Sequence, residues 1–183
     1  KQEHLQQAVR VIRSGGIVGA ATETFFGILA DYRRRNASLR ILAMKGLTRP
    51  APISLIIPSM DYVGALAEDV PNLALLLMKT YWPGPLTLVL RARRNVPAHI
   101  KQDMGTIALR IPGPSDARDI LVLFGGPLTA PSLNVHKKAP CITARQARDT
   151  LGDKLEMIVP GTSPGGLPST IVDVTVTPPP VVK

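Results

Sequence analysis

The chain has 183 residues, with 22 Lys and Arg against 13 Asp and Glu and a formal net charge of +9. That length fits one domain with one buried core, and the basic balance favours an anionic partner such as a nucleotide, a phosphate or a nucleic acid. A hydrophobic content of 45% excludes a disordered chain, no apolar run approaches the ~18 residues of a membrane helix, and the single Cys141 excludes an intrachain disulfide.

Leu5, Ala8, Val9 and Ile12 recur at helical spacing before Gly15-Gly16, which predicts an opening amphipathic helix. Ile17 to Ala21 predicts a buried strand. The segment Thr22-Glu23-Thr24-Phe25-Phe26-Gly27 then continues with polar alternate positions, where open α/β sheets expose binding groups. Asn36 is the expected cap of a helix through Lys45, closed by Gly46, and Ile53 to Ile57 reads as the next buried strand. Ser59 and Pro71 mark two more helix starts, with Pro71 at the first-turn position that proline tolerates, and Pro83-Gly84-Pro85 breaks the apolar run that ends at Tyr81-Trp82.

Strands are expected over Leu86 to Leu90 and Thr106 to Ile111, a helix over Ser115 to Phe124 closed by Gly125-Gly126, and a strand over Pro127 to Pro131. Thr143 should cap a helix to Leu151. Strands near Leu155 to Val159 and Thr170 to Val174 flank a glycine and proline loop, Pro160 to Pro168. Alternation of helices with short buried strands predicts a single three-layer α/β domain over 1–183. The opening Lys1-Gln2-Glu3-His4 shows no signal-peptide pattern, and with one cysteine the expected location is cytoplasmic, with no membrane association.

His4, His99 and His136 stand in no metal-ligand spacing and beside no nucleophile signature, and Cys141, between Pro140 and Ile142, reads as a packed thiol. Neither a Walker loop nor a Gly-x-Gly-x-x-Gly fingerprint is present. What remains is a set of hydroxyls, amides and fixed cations at predicted strand ends: Thr22, Thr24, Lys45, Thr106, Arg110, Ser132, Asn134, Ser169 and Thr170. Any one of them is more commonly a turn or cap residue. Together, just past apolar strands, they suit a small polar ligand beside an anionic one and do not point to a tuned base.

Gly16-Ile17-Val18, Thr22-Glu23-Thr24 with Phe26-Gly27, Lys45-Gly46, Trp82-Pro83-Gly84-Pro85-Leu86-Thr87-Leu88, Ala108-Leu109-Arg110-Ile111-Pro112, Pro131-Ser132-Leu133-Asn134 and Ser169-Thr170-Ile171-Val172-Asp173 resemble, in order, the signature blocks of the YrdC-like family, the threonylcarbamoyl-AMP synthases. The resemblance implies a twisted open mixed sheet flanked by helices, with a basic concave cavity. It also implies a nucleotidyltransferase that joins L-threonine, bicarbonate and ATP, with Mg2+ accompanying the ATP, into threonylcarbamoyl-AMP and pyrophosphate for tRNA modification. Implied partners are tRNA or the downstream threonylcarbamoyl transferase.

Residue by residue, the resemblance places Thr24, Arg110, Ser132 and Ser169 around threonine, and Lys45, Thr106 and Asn134 near the nucleotide. Arg49 and Lys183 are further nucleotide candidates, Lys183 standing where the family usually has an arginine. It implies no catalytic side chain, because the carbamate of threonine is already an anionic nucleophile; positioning and charge neutralisation carry the reaction. This chain departs from the family pattern at Leu47, where an arginine is usual, and at Ala51, Phe26, Ala21 and Ile56. Those departures, with the basic run Arg33-Arg34-Arg35 and with Arg91, Arg93, Arg94 and Lys101, motivate an alternative: a diverged paralogue that binds nucleotide or RNA without synthase activity.

Overall fold

Helix α1 (Gln2–Arg13) buries Leu5, Ala8, Val9 and Ile12 along one stripe and leaves its charges outside, as the spacing predicts. The computed structural model, which describes residues 1–47, 53–101 and 104–182, continues into β1 (Val18–Ala21), buried at every position. Strand β1 pairs antiparallel with β2 (Phe26–Leu29) and parallel with β8 (Met157–Ile158), giving a three-stranded sheet of order β2-β1-β8. The sequence reading runs residues 22–27 on as a polar extension of one strand. Instead the chain reverses there, because the Thr22 hydroxyl accepts from the amides of Thr24 and Phe25 and donates to the carbonyl of Phe25.

The second sheet has the order β4-β5-β6-β3-β7, from β3 (Leu55–Ile56), β4 (Ala67–Glu68), β5 (Leu86–Ala92), β6 (Thr106–Arg110) and β7 (Leu128–Thr129). Strand β9 (Thr170–Asp173) adds to β5 in parallel, with Leu86 opposite Thr170 and Val89 opposite Asp173. The two sheets are joined where β2 runs beside β7, through Thr129 N donating to Ala30 O and Ile28 N to Pro131 O. Both sheets mix parallel and antiparallel pairs, so the expected mixed α/β architecture holds, in two sheets instead of one.

The remaining helices are α2 (Arg35–Met44), α3 (Asp61–Leu66), α4 (Asn72–Tyr81), α5 (Asp116–Phe124) and α6 (Ala144–Leu151). Thr143 forms the expected cap of α6, with Gln146 reaching back to complete a capping box, and the Ser115 hydroxyl accepts from Arg118 N at the start of α5. Three expected starts move. Met60, one residue after Ser59, is the N-cap of α3, and the Ser59 hydroxyl donates to the Asp61 carboxylate instead of capping the helix. Asn36 lies inside the first turn of α2, because Asp31 accepts the amides of Arg33 and Arg34 and starts the helix earlier, with Arg34 as N-cap. Pro71 is the N-cap of α4, in an extended conformation, so the helix begins at Asn72, one residue later than expected. Among the described residues no helix is long and apolar enough to cross a membrane.

The core comprises apolar layers around the second sheet with α3 and α4, between α1 and α5, and between β1, β2, α2 and α6. Helix α5 ends on Gly125 at φ 77, the left-handed conformation in which its amide reaches Leu121 O. A Cβ there would meet nothing within 4 Å, so Gly125→Ala isolates the backbone cost. It is expected to lower stability by about 1 kcal/mol in urea denaturation; unchanged stability would contradict the left-handed cap.

Candidate functional site

Six segments meet at one end of the sheets: the 22–27 turn after β1, the end of α2 at Lys45, Ser54 just before β3, the end of β6 at Arg110, the segment 130–132 after β7, and residues 168–171 entering β9. They line a cavity of about 210 Å³. Drug-sized ligands occupy pockets of roughly 300 to 1,000 Å³, so this space suits one small amino acid, and a nucleotide must extend beyond it. All four residues expected around threonine, Thr24, Arg110, Ser132 and Ser169, line this cavity together with Lys45.

Arg110 occupies the last position of β6, a strand buried throughout, and only 6% of the residue is exposed. Its guanidinium lies 3.1 Å from a Glu23 carboxylate oxygen, yet the angles make no hydrogen bond, and Arg110 Nη1 and both Glu23 oxygens are buried without a hydrogen-bond partner. Burial pushes the guanidinium below its ordinary pKa, and the Glu23 charge opposes that shift. A planar cation with unused donors beside a cavity of amino-acid size is a receptor for a carboxylate, which it can hold through two parallel bonds.

The hydroxyls are held from behind. Thr22 Oγ1 and Thr24 Oγ1 lie 3.1 Å apart, which fixes Thr24 in the turn, and Gly165 N donates to Thr24 O, tying the 160–168 loop to it. Ser169 is positioned from β5 by Thr87, hydroxyl to hydroxyl at 3.2 Å. Because Thr22 serves as acceptor, donor and neighbour at once, Thr22→Val is expected to cost roughly 1 to 3 kcal/mol of stability by thermal or urea unfolding. A neutral effect would show that the turn forms without the hydroxyl.

Lys45 is 8% exposed and its ammonium donates to Ser132 O at 2.6 Å, Asn134 Oδ1 at 2.7 Å and Asn134 O at 3.2 Å. Ser132 Oγ donates to the same Asn134 Oδ1 at 2.8 Å, while the Asn134 amide donates to Lys138 O. Thus Asn134 does not line the cavity; it orients both Lys45 and Ser132. Thr106 does not line it either. It sits at the opposite end of β6 from Arg110, four residues or about 13 Å along the strand, beyond reach of the same small ligand. Arg49, Ala51 and Lys183 lie outside the described residues.

The sequence assigns no role to Glu23 or Thr87, and it offers Thr22 as a ligand-holding hydroxyl, whereas the structure uses that hydroxyl to hold the turn. The signal for the first and last was the triplet Thr22-Glu23-Thr24 itself; nothing local marks Thr87, whose partner is 82 residues away. The departures fall on packed positions: Phe26, Ile56 and Ala21 are buried, Phe26 backing the cavity wall, and Leu47 packs against the core of the second sheet. Cys141 is buried, its thiol 3.4 Å from Thr150 Oγ1.

A family model, Sua5_yciO_yrdC, with the description "Telomere recombination", matches residues 10–183. The chain is 35% identical over 173 residues to threonylcarbamoyl-AMP synthase of Pyrococcus abyssi, covering 94% of this chain and 51% of that protein, so it spans about half the length of that relative. To threonylcarbamoyl-AMP synthase of Vibrio cholerae it is 30% identical over 165 residues, covering 89% of this chain and 88% of the other. The crystal structure of P. abyssi Sua5 complexed with L-threonine matches with a TM-score of 0.94 at 33% identity, over 100% of this chain and 54% of that one.

Proposed function

The chain belongs to the Sua5/YciO/YrdC family, and from that premise we propose that it is an L-threonylcarbamoyladenylate synthase, forming threonylcarbamoyl-AMP and pyrophosphate from L-threonine, bicarbonate and ATP. The observation that carries this reading is the buried Arg110 guanidinium, its donors unused, at a cavity of about 210 Å³ lined by the hydroxyl-bearing Thr24, Ser132 and Ser169. The proposed roles follow from that arrangement. Arg110 binds the threonine carboxylate, and the three hydroxyls meet the polar side chain and amine. Glu23 balances the Arg110 charge from the far side.

The neutral amine bonds to the carbon of bicarbonate-derived carbon dioxide and releases a proton to solvent, becoming a carbamate. A carbamate oxygen then bonds to the α-phosphorus of ATP as the bond to the bridging oxygen breaks and pyrophosphate leaves. No side chain has to remove a proton from that nucleophile, so orientation and charge neutralisation supply the acceleration. ATP enters with its magnesium as substrate. Among the described residues no group of three or more His, Cys, Asp or Glu is placed to hold a metal ion.

Lys45 reaches the mouth of the same cavity, and a phosphate oxygen can replace one of its present acceptors. The nucleotide candidates Asn134, Thr106, Arg49 and Lys183 keep that proposed role: Asn134 acts through Lys45, and Thr106 can serve only a part of the nucleotide distant from Arg110. The product would pass to a transferase acting on tRNA in the cytoplasm.

Labelled bicarbonate tests the reading. Label carried into a threonine- and ATP-dependent adenylate that co-elutes with threonylcarbamoyl-AMP is the expected result. A second reading, a diverged paralogue that binds nucleotide or RNA without making product, is favoured by Leu47, whose side chain packs on the core where the family pattern has a cation. Saturable ATP binding with no labelled product would establish it.

A further inference from the structure

A second cavity, of about 390 Å³, opens at the other end of the same strands. Gly27 of β2 lines the first cavity and Asp31, four residues on, lines the second, about 13 Å along an extended chain. The segment through β7 repeats the arrangement, with Pro127 at the second cavity and Ala130 at the first. Nothing in the proposed synthase chemistry uses this second space.

Its lining combines cations with aromatic rings. Arg13, Arg33 and Arg34 line it, and so do Tyr32, Tyr62 and Phe124. Arg33 is held in place by buried Asp31, through Nε to Oδ1 at 3.0 Å and Nη2 to Oδ2 at 2.8 Å, while 65% of its side chain stays exposed. Tyr62 is fixed by its hydroxyl, which donates to Gly125 O at 2.8 Å on the facing wall, and Arg13 Nη2 donates to Leu123 O. Arg34 makes no side-chain hydrogen bond or ion pair among the described residues. It is also the N-cap of α2, a ten-residue helix with no side-chain cap and no acid in its first turn. Two held guanidiniums and one uncommitted, with a helix start of positive polarity, favour a phosphate, and aromatic residues lining a cavity of this size favour a base.

We propose that this cavity is a second ligand site, separate from the threonine cavity, and that it takes one nucleotide unit: the phosphate on Arg33, Arg34 and the start of α2, the base against Tyr62 and Phe124. The unit has two sources with the same chemistry, a free nucleoside monophosphate or a nucleotide within RNA.

The test is a titration of amide-nitrogen NMR shifts with AMP, with inorganic phosphate and with a short single-stranded oligoribonucleotide, each in the presence of saturating threonine. AMP should shift amides of residues 33–36 and 125–126, and Arg34→Glu should weaken that response by about tenfold or more. Threonine-dependent pyrophosphate release should be unchanged in Arg34→Glu, which keeps this proposal independent of the synthase reading. Tyr62→Leu should weaken AMP and leave phosphate unaffected. An oligoribonucleotide acting on the same amides at lower concentration than AMP identifies RNA as the source, and AMP acting alone identifies the free nucleotide. Shifts confined to residues 132 and 169, or phosphate binding as tightly as AMP, would overturn the proposal.

Discussion

Arg110→Lys is expected to raise the threonine concentration for half-maximal pyrophosphate release by roughly 10- to 100-fold, because a lysine keeps the charge and loses one of two charge-assisted bonds, each worth about 1.5 to 3 kcal/mol. Arg110→Ala goes further. It removes the carboxylate receptor and leaves Glu23 buried without its cation, a loss of the order of 3 to 5 kcal/mol, or about 10²- to 5 × 10³-fold in kcat/KM for threonine. The KM for ATP should move far less in either variant.

A fold effect is separable from a binding effect by combining Glu23→Gln with Arg110→Ala. If Arg110→Ala loses activity only because Glu23 is stranded, the double variant recovers it. If Arg110 binds the substrate carboxylate, stability returns and threonine use does not. Recovery of activity would remove Arg110 from the site.

Lys45→Ala is expected to lower kcat/KM by about 10²-fold or more, for both substrates together. The family resemblance alone assigns Lys45 to the nucleotide. The structure adds that its ammonium holds Ser132 O and both oxygens of Asn134, so its loss strands two backbone carbonyls, leaves Asn134 Oδ1 with Ser132 Oγ alone, and frees the segment that presents the Ser132 hydroxyl. Steady-state kinetics with each substrate varied in turn decides the matter. A rise in the KM for ATP with threonine unaffected would mean that the 132–134 segment holds its shape without Lys45. Asn134→Ala should reproduce part of the threonine defect, since Asn134 Oδ1 is the shared acceptor of Lys45 and Ser132.

Much of this fold was legible before any coordinates because its elements are short and locally punctuated. The stripe of α1, the caps at Ser115 and Thr143 and the strands flanking Arg110 follow from spacing and turn chemistry within a few residues. The hairpin reversal at 22–25 was not legible, because polar alternation after a buried strand looks the same whether the chain runs on or turns back. What decides it is the Thr22 hydroxyl, which serves Thr24 and Phe25 amides at once.

For the site, the strand-end hydroxyls Thr24, Ser132 and Ser169, with Arg110 and Lys45, converge on one cavity as their positions suggested. Thr106 was grouped with them because it also stands at a strand end, but β6 has two ends and Thr106 occupies the other. Glu23 behind Arg110 and Thr87 behind Ser169 depend on contacts between segments 87 and 82 residues apart, and sequence spacing carries no record of those.

The claim that most needs a direct measurement is that the residues around Arg110 form a threonine site serving adenylate transfer. Pyrophosphate release from ATP should be measured with threonine and bicarbonate both present, with each omitted in turn, and with Arg110→Ala in place of the native chain. Release should require both co-substrates and fall by at least about 10²-fold at equal threonine in Arg110→Ala. Release that is indifferent to threonine, or equal in the variant, would contradict that claim.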